Sequence, residues 1–152
     1  MDDFDRRILR ILQADASLSV AVVAEQVGLS PTPCWRRIQK LEASGIIRSR
    51  VALLDADQLD LGLTVFVHLR IARHDSDWLA NFTRAMMTMP EVLEVSRLAG
   101  NWDYLLRVLV TDMPAYDRFY KRLIEIEGLN DVSSSFSMQQ IKYTTAMPLD
   151  HL

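Results

Sequence analysis

Apolar residues recur at every third or fourth position through the first third of this chain, and at every second position from Thr64 onward. The first period is that of a helix and the second that of a strand, so the chain must change structural class partway along. The polar stretch 55–62 marks the change. We therefore expect a first domain over 1–54, a connector over 55–62 and a second domain over 63–152, which suits the 152 residues available. Charge divides at nearly the same place. Residues 1–50 carry eight Lys/Arg against six Asp/Glu, a net of +2, and the remainder carries nine against fourteen, a net of −5. The overall −3 thus hides a modestly basic module joined to an acidic one, with different partners expected for each.

In the first module, Phe4, Ile8, Ile11 and Leu12 follow Asp2-Asp3 at helical spacing and predict a helix to about Ala14. Ser19 can cap a second, short helix carrying Val20, Val23, Ala24 and Val27, closed by Gly28 in a left-handed turn. Ser30 and Pro31 then open a third helix. At about 100° per residue, Arg36, Arg37 and Lys40 share one half of that helix, and Cys34, Ile38 and Leu41 the other. Two short helices joined by a Gly-containing turn after a longer one form the helix-turn-helix pattern. Such a helix rests its apolar half on a small core and presents its basic half either to solvent or to the DNA major groove. In the second case Ser30, Thr32 and Pro33 at its N-terminus, with Arg36 and Arg37, approach base edges, Arg being suited to guanine. The β-rich run 46–54 after Ser44-Gly45 is expected as a wing strand with Arg48 and Arg50 on one face. Lys40, Arg48 and Arg50 then contact phosphates, although a solvated strand face explains the last two equally well.

In the second module, Val65, Val67, Leu69 and Ile71 alternate with Phe66, His68 and Arg70, which predicts a strand. A helix starting at Ser76 or Asp77 and stopped by Pro90, strands over 92–98 and 104–111, a helix opened by Pro114 and a long strand over 132–143 complete the order βαββαβ. That order is the ferredoxin-like split βαβ arrangement. Helices on one face leave the other face of the sheet to be covered, with Phe66, Tyr104, Leu106 and Phe136 as candidates, so a dimer formed sheet to sheet is expected. The fold class is α+β: a winged helix-turn-helix followed by a ferredoxin-like domain.

Other classes of function find little support. No signal-peptide pattern and no apolar run of the roughly 18 residues needed to span a bilayer is present, and one cysteine forms no intrachain disulfide, so a cytoplasmic location without membrane contact is expected. Cys34 is either a small core residue or a redox sensor, the first fitting its place on the apolar side of the helix. His68, His74 and His151 are scattered without acid–base or metal spacing, and no Gly-rich phosphate loop occurs, so we expect neither an enzyme nor a metal or other cofactor.

The chain resembles the Lrp/AsnC, or feast/famine, family of transcription regulators. The likeness rests on Leu29-Ser30-Pro31-Thr32-Pro33-Cys34, on Arg36-Arg37-Ile38-Gln39-Lys40-Leu41-Glu42, on Gly45-Ile46-Ile47, and on Gly100-Asn101-Trp102-Asp103-Tyr104-Leu105 within the βαββαβ domain. It spans about Phe4 to Tyr143. The resemblance implies a DNA-binding regulator of amino-acid metabolism, with an N-terminal domain on double-stranded DNA and a C-terminal domain that oligomerises and binds a small amino-acid effector. It implies a homodimer assembling to a tetramer or octamer, with the effector where dimers meet. Carried over by position, the effector site comprises the turn Ala99, Gly100, Asn101, Trp102, Asp103 and Tyr104, together with Met113, Ser135 and Ser137. Trp102 departs from the residues common in this turn and suggests a pocket of different size. Trp35-Arg36-Arg37, Arg50-Val51-Ala52-Leu53-Leu54-Asp55, Trp102-Asp103-Tyr104 and Ile141-Lys142-Tyr143-Thr144-Thr145 together resemble the branch tied to cysteine and other sulfur amino acids.

The chemistry of the turn agrees. An α-amino acid needs acceptors for its ammonium, which Asp103 offers, and donors for its carboxylate, which the N–H groups of a Gly-containing turn offer. Gly100-Asn101 making only a hairpin turn that Asp103 caps is the plainer alternative. Ser133-Ser134-Ser135 either meets a polar effector or lines a solvated edge. At the level of the whole protein, the alternative is an architectural, nucleoid-type DNA-binding protein without an effector.

Overall fold

The computed structural model describes residues 1–72 and 75–152. Its elements run α1 (Asp3–Ala14), α2 (Val20–Val27), α3 (Pro31–Ala43), a 3-10 turn (Asp57–Leu59), β1 (Leu63–Ile71), α4 (Ser76–Thr88), β2 (Val92–Arg97), β3 (Tyr104–Val110), α5 (Met113–Ile124) and β4 (Leu129–Phe136). They form two compact units, Met1–Leu53 with Ile141–Leu152, and Leu54–Gln140.

The first unit is built from three helices. A capping box starts α1: the Asp5 N–H donates to Asp2 Oδ1 at 3.0 Å and the Asp2 N–H returns to Asp5 Oδ2 at 3.1 Å. Ser19 caps α2, and Gly28, at φ +76°, ends it, with the Leu29 N–H donating to the Ala24 carbonyl at 2.9 Å. Ile8, Leu9, Val23, Ala24, Val27, Cys34, Ile38 and Leu41 make the core. Cys34 is fully buried, and burial pushes its thiol up from the ordinary value against the opposing pull of Arg37. It therefore stays protonated and packs as a small apolar group.

Two expectations for this unit need correction. The run 46–54 forms no strand. A strand needs a neighbour to take its N–H and C=O groups, and this unit offers none: Ile46, Val51 and Leu53 are all exposed. The wing is thus a strand-prone sequence without regular structure. Second, Ile141–Leu152, expected to belong to 63–152, packs with the first unit. Arg6 donates to the Leu152 carbonyl, Arg10 pairs with Asp150, and Gln13 and Met147 exchange hydrogen bonds, the shorter of them 2.6 Å. Leu149 lies against the core of the three helices.

The second unit is an antiparallel sheet in the order β2-β3-β1-β4 with α4 and α5 on one face. Central β1 is paired on both sides, Val67 facing Leu106 of β3 and Ser134 of β4. Val65, Val67, Leu69 and Ile71 therefore join Trp78, Phe82 and Met86 of α4 and Tyr116, Phe119 and Leu123 of α5 in the core. The register corrects the expected open face. Tyr104 lies opposite Leu69, Leu106 opposite Val67 and Phe136 opposite Val65, so all three point toward the helices. Only Phe66 of the four candidates lies on the open face, which Leu105 and Leu109 share. The long last strand is also shorter than expected. It ends at Phe136 because β1 begins at Leu63, and the Ser137 N–H to the Thr64 carbonyl, 2.9 Å, is the last rung available. Ser134, on the helix side, bonds the Tyr116 hydroxyl.

Trp78 fixes α4 to the sheet. Its ring stacks on Phe82 with centroids 4.9 Å apart, and its indole N–H donates to the Glu127 carbonyl at 2.6 Å. Gly128 follows at φ +86°, and a Cβ there would lie 2.6 Å from Trp78 Nε1. Backbone and space both demand glycine. Gly128→Ala should destabilise the protein by about 2–3 kcal/mol, read as a lower midpoint in denaturant unfolding.

Candidate functional site

Ser30 stands at the N-cap of α3 but its hydroxyl makes no capping bond. The cause is local. An N-cap side chain bonds the N–H of the second or third helical residue; the third, Pro33, has none, which leaves only the Thr32 N–H for a cap. Ser30, Thr32 and Pro33 are all exposed, so a helix end poor in backbone donors presents two free-standing hydroxyl side chains outward.

Cys34, Ile38 and Leu41 hold the inner half of α3 in the core, which sets the outer half. Arg36 and Lys40 are exposed there, and Arg48 is exposed after the helix. Among the described residues none of these three has a hydrogen-bond or ion-pair partner. The other two predicted cations are occupied. Arg50 donates to Glu42 at 2.9 Å. Arg37 donates through one nitrogen to Asp2 and Asp5, at 2.7 Å each, and lies over the Phe4 ring at 5.4 Å. The Asp5 N–H and then Arg37 hold the Asp2 carboxyl below the ordinary aspartate value, while Asp5 and Asp2 raise Arg37. Arg37 thus joins the capped end of α1 to the middle of α3.

In the second unit, the turn between β2 and β3 folds back over the open face of the sheet. The Asn101 carbonyl accepts from Arg70 Nε and Nη2 at 3.1 and 2.9 Å. The Arg70 guanidinium lies 4.9 Å from the Trp102 ring centroid, and His68 lies against the other part of that ring at 5.6 Å. Asp103 is held by both its backbone and its side chain: its N–H donates to the Leu69 carbonyl at 2.9 Å, and its Oδ2 accepts from the Ile71 N–H at 2.8 Å. That leaves Oδ1 for a ligand. Ala99 and Gly100 are exposed at the tip.

The other predicted effector residues are not all brought together. Tyr104 is buried against both Trp78 and Phe82 and belongs to the core. Ser135 and Ser137 lie on the open face, opposite Phe66 and Thr64. Met113 follows β3, whereas the turn precedes it, and the seven residues between span roughly 23 Å at about 3.3 Å each. Arg70 and His68 were not among the predicted site residues. The alternation of β1 placed them on one face, but nothing in the sequence indicated that the turn folds onto them. Trp35, outside the predicted site residues, is also exposed on α3. Among the described residues no group of His, Cys, Asp and Glu could hold a metal ion, and no helix is long and apolar enough to cross a membrane. His74 lies outside the described residues.

Comparison with known proteins covers both units. Residues 1–42 match the AsnC-type helix-turn-helix domain and residues 64–147 the Lrp/AsnC ligand binding domain. The chain is 50% identical over 151 residues to the DNA-binding transcriptional activator DecR of Escherichia coli K12, covering 99% of each. It superposes on an AsnC family transcriptional regulator from Agrobacterium tumefaciens with TM-score 0.96 and 56% identity, covering 100% of this chain and 99% of that one. It also superposes on the transcriptional regulator NMB0573 of Neisseria meningitidis, solved as a complex with L-Met, with TM-score 0.95 and 39% identity over 99% and 98% of the two chains.

If Arg37 ties α1 to α3, Arg37→Ala should lower the thermal midpoint clearly more than Arg36→Ala, which removes no partner. The Asp2 contribution should be present above the ordinary aspartate pKa of 3.8 and lost as pH falls through its lower folded value. Asp2→Asn should flatten that acid limb in melts recorded across pH.

Proposed function

The chain belongs to the Lrp/AsnC family of transcriptional regulators, and from that premise we propose that α3 reads the DNA major groove while the 99–104 turn senses an amino acid. Its class is that of DNA-binding regulators of amino-acid metabolism responding to an amino-acid effector, not of enzymes. The observation that carries the DNA reading is the outer half of α3, where Arg36 and Lys40 stand unpartnered among the described residues while the inner half is fixed in the core. Two such helices in a dimer enter successive major grooves about one helical turn apart. Arg36, with Thr32, Ser30 and Pro33 at the helix start, meets base edges. Lys40 and Arg48 hold phosphates. Arg50 joins them by leaving Glu42. Arg37 serves by position, fixing the recognition helix on α1.

The effector reading rests on the groups gathered at the turn. Asp103 Oδ1 is available to an ammonium, and the Arg70 guanidinium on Trp102 to a carboxylate. Trp102 and His68 form an apolar and aromatic wall suited to a side chain such as that of a sulfur amino acid, and the L-Met complex of the Neisseria regulator favours this class. Met113 lies too far from the turn within one chain to share its ligand. A site between copies brings them together, consistent with a homodimer formed sheet to sheet through the uncovered Phe66, Leu105 and Leu109 that assembles further to a tetramer or octamer. The protein works in the cytoplasm, where both DNA and free amino acids are found.

The test is binding to the DNA just upstream of its own gene across a salt series, with and without single amino acids. Affinity should fall steeply with salt and shift with one amino acid, cysteine or methionine being expected first. The same salt slope with no response to any amino acid favours an architectural protein instead. Arg36→Ala should cost roughly 1–3 kcal/mol and relax the preference at one position per half-site; an equal loss on all sequences would make Arg36 a phosphate contact. Arg70→Ala should abolish the amino-acid response and leave effector-free DNA binding intact.

A further inference from the structure

Trp35 is half exposed, at 50%, in the middle of α3. The other two tryptophans are accounted for: Trp78 is packed in the core with its indole N–H bonded, and Trp102 lies against Arg70 and His68. Among the described residues Trp35 has no hydrogen bond and no ring contact. Half of its surface is therefore left free of the first unit, with no polar or ring partner taking it up.

Its position explains it. At about 100° per residue, Trp35 lies on the side of Arg36 away from Arg37, within roughly 60° of Thr32. Arg37, on the other side, is fixed by two carboxylates and the Phe4 ring. On the side of Arg36 away from Lys40, the unoccupied surface of the helix is thus centred on Thr32, Trp35 and Arg36. It presents one hydroxyl, one flat apolar ring and one guanidinium.

We propose that Trp35 is a base-contacting residue of α3 that reads a thymine methyl group beside the base pair met by Arg36. The proposal rests on the reading of α3 as a DNA-recognition helix. The thymine C5-methyl is the one apolar group that base edges offer in the major groove, and cytosine lacks it. An indole ring without a protein partner can cover it without breaking any contact. Trp35 then specifies sequence by apolar contact, as Arg36 does by hydrogen bonding, and neutralises no phosphate.

The test uses the full chain. A pool of duplexes with random centres is enriched by wild type, Trp35→Ala and Trp35→Phe, and each thymine of the preferred duplex is then replaced singly by deoxyuridine, which removes only the methyl. For wild type, one replacement per half-site should weaken binding by about fourfold, the effect of one buried carbon. Trp35→Ala should bind the parent duplex more weakly and be indifferent to that replacement, Trp35→Phe should retain part of the response, and the salt dependence should match wild type. Should Trp35→Ala fail to fold, Trp35→Gln takes the same comparison. Tolerance of deoxyuridine at every position by wild type would overturn the proposal. So would an unchanged response in the variants, or variants that alter the salt slope or the assembly state by light scattering while keeping base preference. Wild type enriching no sequence would instead sink the recognition-helix reading itself.

Discussion

The double pairing of β1 is the constraint on which the second unit depends. A strand bonded on both edges cannot slide against one neighbour without breaking the other ladder, and a slip of one residue would invert every side chain. β1 is bonded to both β3 and β4 over most of its length. Its register therefore decides which residues of three strands face the helices. Leu69, Tyr104 and Val132 share the buried side, and His68, Leu105 and Ser133 the open one. The 99–104 turn inherits its surroundings from that choice. Arg70 and His68 reach Trp102 because they stand on the open side, and Asp103 can anchor the turn because β1 ends beside it at Ile71.

Much of this was legible in the sequence because it depends on neighbours three or four residues away. The starts of α1 and α2, the left-handed end at Gly28, the buried set Cys34, Ile38 and Leu41, and the βαββαβ order follow from local spacing and capping chemistry. What escaped depends on distant partners. The run 46–54 has strand composition but no strand to pair with. β4 stops where β1 does, which its own sequence cannot indicate. Residues 141–152 pair with α1 through contacts more than 130 residues apart in the chain. Arg37 looked like a base reader because it shares a helix face with cations, and the acids that occupy it are 32 and 35 residues upstream.

The first unit shows how a helix can be prepared for a polyanion without a strongly basic sequence. Helix N-termini attract phosphate through free backbone N–H groups, but Pro31 and Pro33 remove two of them from α3. Attraction must then come from side chains, and the side chains divide the work. Arg37 and Arg50 carry charges already balanced by Asp2, Asp5 and Glu42, so they contribute little to the field at the surface. Arg36, Lys40 and Arg48 supply the uncompensated charge. The net of +2 over the first 50 residues thus understates the difference between cations paired with carboxylates and those left free on and just after α3.

The same division bears on how an amino acid can influence DNA binding. Coupling between two ligands is a free-energy difference that acts equally in both directions, so an effector that changes DNA affinity must itself bind differently to the DNA-bound protein. Under the proposed site, a ligand shared by Asp103 of one copy and Met113 of another would favour assembly, because that site is complete only when copies meet. Assembly in turn fixes the spacing at which recognition helices are offered to DNA, and spacing is read by half-site geometry without any change within α3. On this argument the effector need not perturb the core of Cys34, Ile38 and Leu41 or the clamp at Arg37. It would then select which pairs of already formed helices can bind one duplex together.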